Sequence, residues 1–178
     1  MFKRKNIPFL ISAFNQVKDT GNYTALQLVL AGQLPADKND SDFLSVTKAI
    51  NQSPYKSYII LTGYVSDDEL AELYQNASTY VFPSLNEGFG IPVLEAFKNR
   101  VPVLAANNTS LPEVGGDAVL LFDPFNSADL AHKISVLMDD ADLRRQMVDK
   151  GTERLKYFSW HKAAEELIEI FKIAAQRR

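Results

Sequence analysis

Residues 81–105 read VFPSLNEGFGIPVLEAFKNRVPVLA, and this stretch indicates an α/β fold. Apolar runs at 79–83 and 101–105 predict two β-strands. Between them lie a glycine turn, G-x-G starting at Gly88, and a helical pattern that opens near Pro92, a residue suited to the first turn of a helix. Strand, turn, helix and strand make one βαβ unit, and the turn of such a unit is where α/β proteins hold phosphate groups.

The start of this helix favours an anion. The first amide groups of a helix lack partners within it and carry the positive end of its dipole. A helix rises about 1.5 Å per residue, so Glu95 lies within roughly two turns of the anion site. That distance matches the distance from a diphosphate to the ribose of the same nucleotide. Glu87, on the turn, would face the group at the far side of the diphosphate. The spacing predicts a nucleotide-sugar site. Taken alone, a G-x-G turn is also typical of a tight connection between a strand and a helix. Taken alone, each glutamate is also typical of a solvated surface.

The rest of the chain alternates in the same way. Further strands are predicted at residues 25–31, 57–62 and 118–122, and helices at 7–17, 41–51, 67–75, 127–138, 141–157 and from 160 to the end. Ser41 and Ser66 are the predicted N-caps, with Glu69 completing a capping box. Such alternation predicts an α/β fold whose parallel sheet carries helices on both faces. Ligands of these sheets bind beyond the carboxyl ends of the strands.

Two local patterns carry further expectations. The run at 57–62 is nearly all apolar, so its strand is predicted to be buried on both faces. The last helix combines apolar positions such as Leu167 and Phe171 with acidic ones such as Glu165 and Glu166. That acidic face does not suit an anionic lipid surface, so the helix is predicted to pack against protein.

Composition excludes several classes of function. The chain of 178 residues has 19 basic and 22 acidic residues, a net charge of −3, which argues against a nucleic-acid partner. It has no cysteine, and His132 and His161 do not stand in a metal-binding pattern, so no metal is expected. The first residues do not show a signal-peptide pattern, and no apolar run approaches the ~20 residues that span a bilayer.

The string E-G-F-G-I-P-V-L-E-A-F-x-x-x-V-P-V resembles the donor-site signature of the large retaining GT-B glycosyltransferase family, glycosyl transferases group 1, whose two glutamates are separated by seven residues. The segments R-K-N at Arg4, L-T-G-Y-V at Leu61 and D-P at Asp123 resemble further elements of this family, in the right order. The resemblance covers nearly all of the chain. It implies the Rossmann-like C-terminal half of a GT-B fold over residues 1–178, with C-terminal helices at 127–178.

The resemblance also implies what the chain lacks. Only Met1 and Phe2 precede the segment that matches the family, so the first strand of the sheet is expected to be missing. The acceptor-binding N-terminal domain is expected to be absent too. A donor half alone would bind nucleotide better than it transfers sugar, with weak activity or none.

The resemblance also matches individual residues of this chain to site residues of the family. Glu87 matches the glutamate beside the donor sugar, and Lys5 the lysine that contacts the diphosphate; these two are the expected catalytic residues. Arg4 lies beside Lys5, and Glu95 matches the residue that accepts from the ribose hydroxyls. Gly63 and Tyr64 match the turn that borders the base. The phosphates are expected on the backbone amides near Phe89, Gly90 and Ile91. Gly88, also expected in the donor site, would let the ligand approach the backbone without meeting a Cβ.

The implied reaction is that of a retaining hexosyltransferase in EC class 2.4. It moves a sugar from a nucleoside-diphosphate sugar, with UDP or GDP as the nucleotide, to the hydroxyl of an acceptor glycan or lipid-linked sugar. The setting would be polysaccharide biosynthesis in the cytoplasm, without cofactor or metal, with peripheral contact to the inner face of the membrane through the missing half. One alternative is a catalytically silent nucleotide-binding module that pairs with a separate acceptor-binding chain. Another is a GT-B-like epimerase, which the glutamate spacing disfavours. Base, sugar and acceptor stay undetermined at this level.

Overall fold

The computed structural model describes residues 3–176, in which strands and helices alternate. The ends of the predicted domain, residues 1–2 and 177–178, lie outside the described residues. The strands are β1 (Leu28–Ala31), β2 (Ile59–Gly63), β3 (Tyr80–Phe82), β4 (Val103–Ala106) and β5 (Val119–Phe122). The helices are α1 (Ile7–Asp19), α2 (Ser41–Gln52), α3 (Asp67–Asn76), α4 (Ile91–Lys98), α5 (Leu111–Gly115), α6 (Ser127–Asp139), α7 (Ala141–Leu155) and α8 (Trp160–Gln176).

The parallel α/β architecture is confirmed, but its strands form two sheets. β1 pairs with β2, and β3, β4 and β5 pair in that order, all in parallel. No strand within the described residues precedes α1 or joins the two sheets. Helix α1 packs against both α2 and α6 and so connects the two parts of the fold. Leu28 and Leu30 of β1 pack against the same core as β3 and β4.

The core centres on β4, the middle strand of the larger sheet. All four of its side chains are fully buried, as expected for a parallel strand covered on both faces. Val93 and Ala96 of α4, together with Leu111 of α5, pack into this core without exposure to solvent. The start of α4 is therefore held in place by the buried core around β4.

The smaller sheet is less buried than the sequence predicted. Ile60 of β2 is 38% exposed, and Val29, its register partner on β1, is 40% exposed. Leu28, Leu30 and Ile59 pack against the core of α1 and α2, so these helices cover one face of the sheet. The prediction that the strand in 57–62 is buried on both faces is wrong, because an apolar run does not reveal whether a second layer covers the sheet.

Helix caps follow the sequence with one exception. Ser66 accepts from the backbone N–H of Glu69, whose carboxylate accepts in return from the N–H of Ser66, so the predicted capping box is confirmed. In α2 the cap is Asp40, which accepts from the N–H groups of Asp42 and Phe43. The predicted cap, Ser41, is instead the first helical residue, since Asp40 is an equally good cap and stands one position earlier.

Helix α8 packs little against the rest of the described chain. Every side chain over residues 160–175 is exposed, including Trp160 at 85% and Phe171 at 63%. The predicted packing of this helix is therefore not found in the described chain. Among the described residues, no helix is long and apolar enough to cross a membrane.

Candidate functional site

The loop that follows β3 at the carboxyl edge of the larger sheet carries four of the predicted site residues, Glu87, Gly88, Phe89 and Gly90. Gly90 ends this loop as the N-cap of α4, with φ of +108° in the left-handed region. A Cβ at this position would lie 2.8 Å from Cδ2 of the fully buried Leu111. Both backbone and space therefore require glycine here. At Gly88 a Cβ would meet nothing within 4 Å, so that glycine faces open space.

Polar side chains after β4 hold this loop in place. The Ser110 hydroxyl lies within hydrogen-bond distance of the carbonyl oxygens of Glu87, at 3.0 Å, and Phe89, at 2.8 Å. Asn108 donates its side-chain N–H groups to the carbonyls of Ser84 and Leu85, both at 3.1 Å. The sequence did not reveal this role, for which the polar run N-N-T-S at 107–110 is the only signal.

The start of α4 presents free amides. Val93 donates its N–H to the Gly90 carbonyl at 2.9 Å, and Pro92 has no N–H. Within residues 3–176, the N–H groups of Phe89, Gly90 and Ile91 have no acceptor at hydrogen-bond distance. These three amides are the ones predicted to hold phosphates, and a helix start with free donors suits an anion.

Two basic residues from the N-terminal turn join the loop. The Arg4 carbonyl accepts from the Leu85 N–H at 2.7 Å, which fixes the turn Lys3–Lys5 against the loop. Lys5 Nζ donates to Glu87 Oε1 at 2.9 Å, and Arg4 Nη2 lies 3.7 Å from Glu87 Oε2. Ser84 Oγ is 2.7 Å from Glu87 Oε1. The structure thus brings Arg4, Lys5 and Glu87 into one cluster across 82 positions of sequence.

Glu87 is held in its charged form. Partial burial acts to raise its pKa, but hydrogen bonds from Lys5 and Ser84 and the positive charges of Lys5 and Arg4 outweigh this effect. The pKa of Glu87 is lowered as a result. Its side chain is only 11% exposed, so the carboxylate depends on these partners rather than on water.

Glu95 lies apart from this cluster. It stands on α4, and its carboxylate oxygen Oε2 is 3.4 Å from the hydroxyl of Tyr74 on α3. Tyr74 is buried, and its pKa is raised by that burial and, to a smaller degree, by the negative charge of Glu95. The sequence predicted Glu95 but not this partner, since nothing in the local pattern joins α3 to α4.

The predicted base-binding turn belongs to the other sheet. Gly63 ends β2 with φ of +71°, and its carbonyl accepts from the Gly32 N–H at 3.0 Å. Tyr64 follows with 76% of its surface exposed. Among the described residues, no hydrogen bond joins Gly63 or Tyr64 to Glu87 or Glu95, so their part in the site stays a prediction. The described residues also hold no group of three or more His, Cys, Asp or Glu side chains that would suit a metal ion.

Comparison with known proteins identifies relatives of this chain. It is 36% identical over 175 residues to O-antigen chain mannosyltransferase B of Escherichia coli. The aligned stretch covers 97% of this chain and 44% of that protein. It is 33% identical over 168 residues to serotype-specific mannosyltransferase WbdA of Escherichia coli, covering 94% of this chain and 20% of that one. The chain thus spans less than half the length of these relatives.

Solved structures share its fold. Sucrose-phosphate synthase of Thermosynechococcus elongatus superposes with a TM-score of 0.84 at 23% identity, over 99% of this chain and 44% of that one. The C-terminal domain of a glycosyl transferase group 1 family protein (LpcC) from Francisella tularensis gives 0.74 at 24% identity, over 88% of this chain and 80% of that domain. Anabaena HepE, solved in complex with UDP, gives 0.82 at 18% identity, over 96% of this chain and 46% of HepE.

The family model described as "Glycosyl transferases group 1" matches residues 1–154, most of the chain. The expected family and GT-B fold are both confirmed. This chain belongs to the glycosyl transferases group 1 family.

Proposed function

We propose that this chain is the donor-binding half of a retaining glycosyltransferase that takes its sugar from a nucleoside-diphosphate sugar. One observation carries the proposal: the free amides that start α4 lie on the same loop as Glu87, which Lys5 and Arg4 contact. Free helix amides and two cations match the negative charge of a diphosphate. A charged, partly buried carboxylate beside them matches the hydroxyl groups of a sugar.

The same groups suit the chemistry of transfer. As the bond to the sugar breaks, negative charge grows on the leaving diphosphate while the sugar becomes oxocarbenium-like. The amides of Phe89, Gly90 and Ile91, with the ammonium of Lys5, are fixed before the reaction and oppose that growing charge. Glu87 lies beside the developing positive charge of the sugar and is ionised to oppose it. The leaving phosphate takes the acceptor's proton, which allows transfer with retention and without a metal or other cofactor.

The names of the relatives support a donor sugar and a pathway. Two of them are mannosyltransferases, one of which acts on O-antigen chains. We take mannose as the first donor sugar to test, with UDP or GDP as the nucleotide, in polysaccharide biosynthesis at the cytoplasmic side of the membrane. The acceptor, a glycan or lipid-linked sugar, would be bound by an N-terminal half that pairs with this one. This chain alone is expected to bind nucleotide well and to transfer sugar weakly or not at all.

A catalytically silent module that pairs with a separate acceptor-binding chain is the second candidate. The exposed apolar side chains of α8, among them Leu167, Ile168 and Phe171, favour it because a partner would cover them. Release of free sugar from a nucleoside-diphosphate mannose by this chain alone, followed by NMR, would favour the enzyme. Because a donor half alone is also expected to transfer little or no sugar, turnover is the outcome that separates the two candidates.

Isothermal titration of UDP, GDP and ADP in parallel tests the proposed site. We expect micromolar to millimolar dissociation constants, about 4 to 8 kcal/mol, for UDP or GDP. The corresponding nucleoside-diphosphate mannose should bind at least as tightly as the bare nucleotide, and more tightly than the glucose derivative. Failure of UDP and GDP to bind at millimolar concentration would overturn the proposed function.

A further inference from the structure

Tyr74 connects helix α3 to the predicted ribose ligand on α4. Tyr74 is 7% exposed, and its ring packs edge-to-face against Tyr80, with ring centroids 5.3 Å apart. Tyr80 in turn stacks on Phe82 of the same strand, with centroids 6.0 Å apart. The tyrosine ring is therefore fixed by aromatic packing, and its hydroxyl is fixed with it.

That hydroxyl is aimed at Glu95. The distance from Tyr74 Oη to Glu95 Oε2 is 3.4 Å, and among the side chains that the structure describes, Tyr74 is the one that donates to this carboxylate. A glutamate on a half-exposed helix face has several rotamers of similar energy, and a carboxylate spread over them binds a ligand at an entropic cost. One donor from a fixed, buried ring selects a single rotamer.

We propose that Tyr74 is a positioning residue that holds the Glu95 carboxylate ready to accept hydrogen bonds from the ribose hydroxyls of the donor nucleotide. The inference rests on the proposed function, because it takes Glu95 as the ribose ligand. Tyr74 occupies one lone-pair direction of Oε2 and leaves the remaining acceptor positions of the carboxylate to the ligand. The bond is long for an O–H···O contact, which leaves room for it to shorten when a ligand fixes the glutamate.

The test is the substitution Tyr74→Phe, which keeps the ring and its packing against Tyr80 and removes only the hydroxyl. The probes are UDP and GDP together with their 2′,3′-dideoxy forms, titrated into the full 178-residue chain. Tyr74→Phe should weaken binding of the ribonucleotides by roughly threefold to tenfold, the range of one ordinary hydrogen bond. It should leave binding of the dideoxynucleotides unchanged, because they lack the hydroxyls that Glu95 would accept from.

The matched control is Tyr23→Phe. The Tyr23 hydroxyl also donates to a carboxylate, that of Asp139 at 2.7 Å, but its partner ends helix α6. This substitution should change neither class of nucleotide. Circular dichroism and thermal melting check that each variant is folded.

Glu95→Gln separates failure of this inference from failure of the proposed function. If Glu95→Gln weakens ribonucleotide binding and Tyr74→Phe does not, the positioning role is wrong and the ribose assignment stands. If Glu95→Gln itself has no effect, the ribose assignment fails and the inference fails with it. Equal losses for ribo- and dideoxynucleotides in Tyr74→Phe would show a merely structural role and overturn the proposal. In the double variant, Tyr74→Phe should add no further loss to Glu95→Gln.

Discussion

Lys5 and Glu87 stand 82 positions apart in the sequence, yet Lys5 Nζ donates to Glu87 Oε1 at 2.9 Å. The contact joins the N-terminal basic turn to the loop after β3, and the Arg4 carbonyl strengthens the junction by accepting from the Leu85 N–H at 2.7 Å. A cation and an anion of the candidate site thus partner each other. A diphosphate would give Lys5 a second anionic partner in the same place.

Lys5→Gln should weaken nucleotide binding. The substitution removes the ammonium proposed to contact the diphosphate, and hydrogen bonds to charged groups contribute on the order of 1.5–3 kcal/mol. Titration of UDP and GDP measures the loss, which should exceed the loss for the corresponding nucleoside. Lys150→Gln is the control, since Lys150 pairs with Asp117 at 3.1 Å on the exposed side of α7. Equal losses for nucleotide and nucleoside would contradict a phosphate contact.

Glu87→Gln should change how stability depends on pH. The pKa of Glu87 is lowered in the folded protein, so its ionised form stabilises the fold. This stabilisation is fully present above the ordinary glutamate pKa of about 4.3 and is lost as pH falls through the lowered folded value. Thermal melting at pH 7 and in steps below pH 5 should show Glu87→Gln less stable than wild type at pH 7, with the gap narrowing on acidification. A gap that stays constant with pH would rule out this electrostatic origin.

Gly90→Ala should destabilise the fold, whereas Gly88→Ala should not. A Cβ at Gly90 would be 2.8 Å from Leu111 Cδ2, and φ of +108° is strained for any residue with a side chain. Leu111 is fully buried and has little freedom to move away, so a loss of about 1–3 kcal/mol in the free energy of unfolding is expected. Urea denaturation measures both variants.

Gly88→Ala has a different expected consequence. The added methyl group meets nothing within 4 Å, so the free energy of unfolding should change by less than about 0.5 kcal/mol. Nucleotide binding should weaken, because the methyl group stands in the open space where we propose that the ligand approaches the backbone. A Gly88→Ala variant with unchanged nucleotide affinity would place the diphosphate elsewhere.

The sequence predicted those features of the fold that are specified by residues close to one another in the chain. The unit at 81–105 was readable because its strand, glycine turn and helix start are specified within 25 residues, and the capping box of Ser66 and Glu69 within four. Exposure of Ile60 depends instead on what covers the second face of the β1–β2 sheet, which no local pattern records. Tyr74 and Glu95 stand 21 positions apart on two different helices, so their contact can be seen only in the packed structure.

Removal of α8 should leave the rest of the fold intact. Residues 160–175 are exposed throughout, so their deletion with the C-terminal remainder uncovers little buried apolar surface. Truncation after Phe158 keeps the ring that packs edge-on against Phe89, with centroids 5.8 Å apart. The melting temperature should therefore fall by no more than about 2 °C, the order expected from a few tenths of a kcal/mol. Extending the truncation to remove Phe158 and Leu155, which pack against the main core, is the contrasting variant and should lower the melting temperature clearly. A large drop on removal of α8 alone would mean that its apolar side chains are covered in solution, by this chain or by a second copy of it.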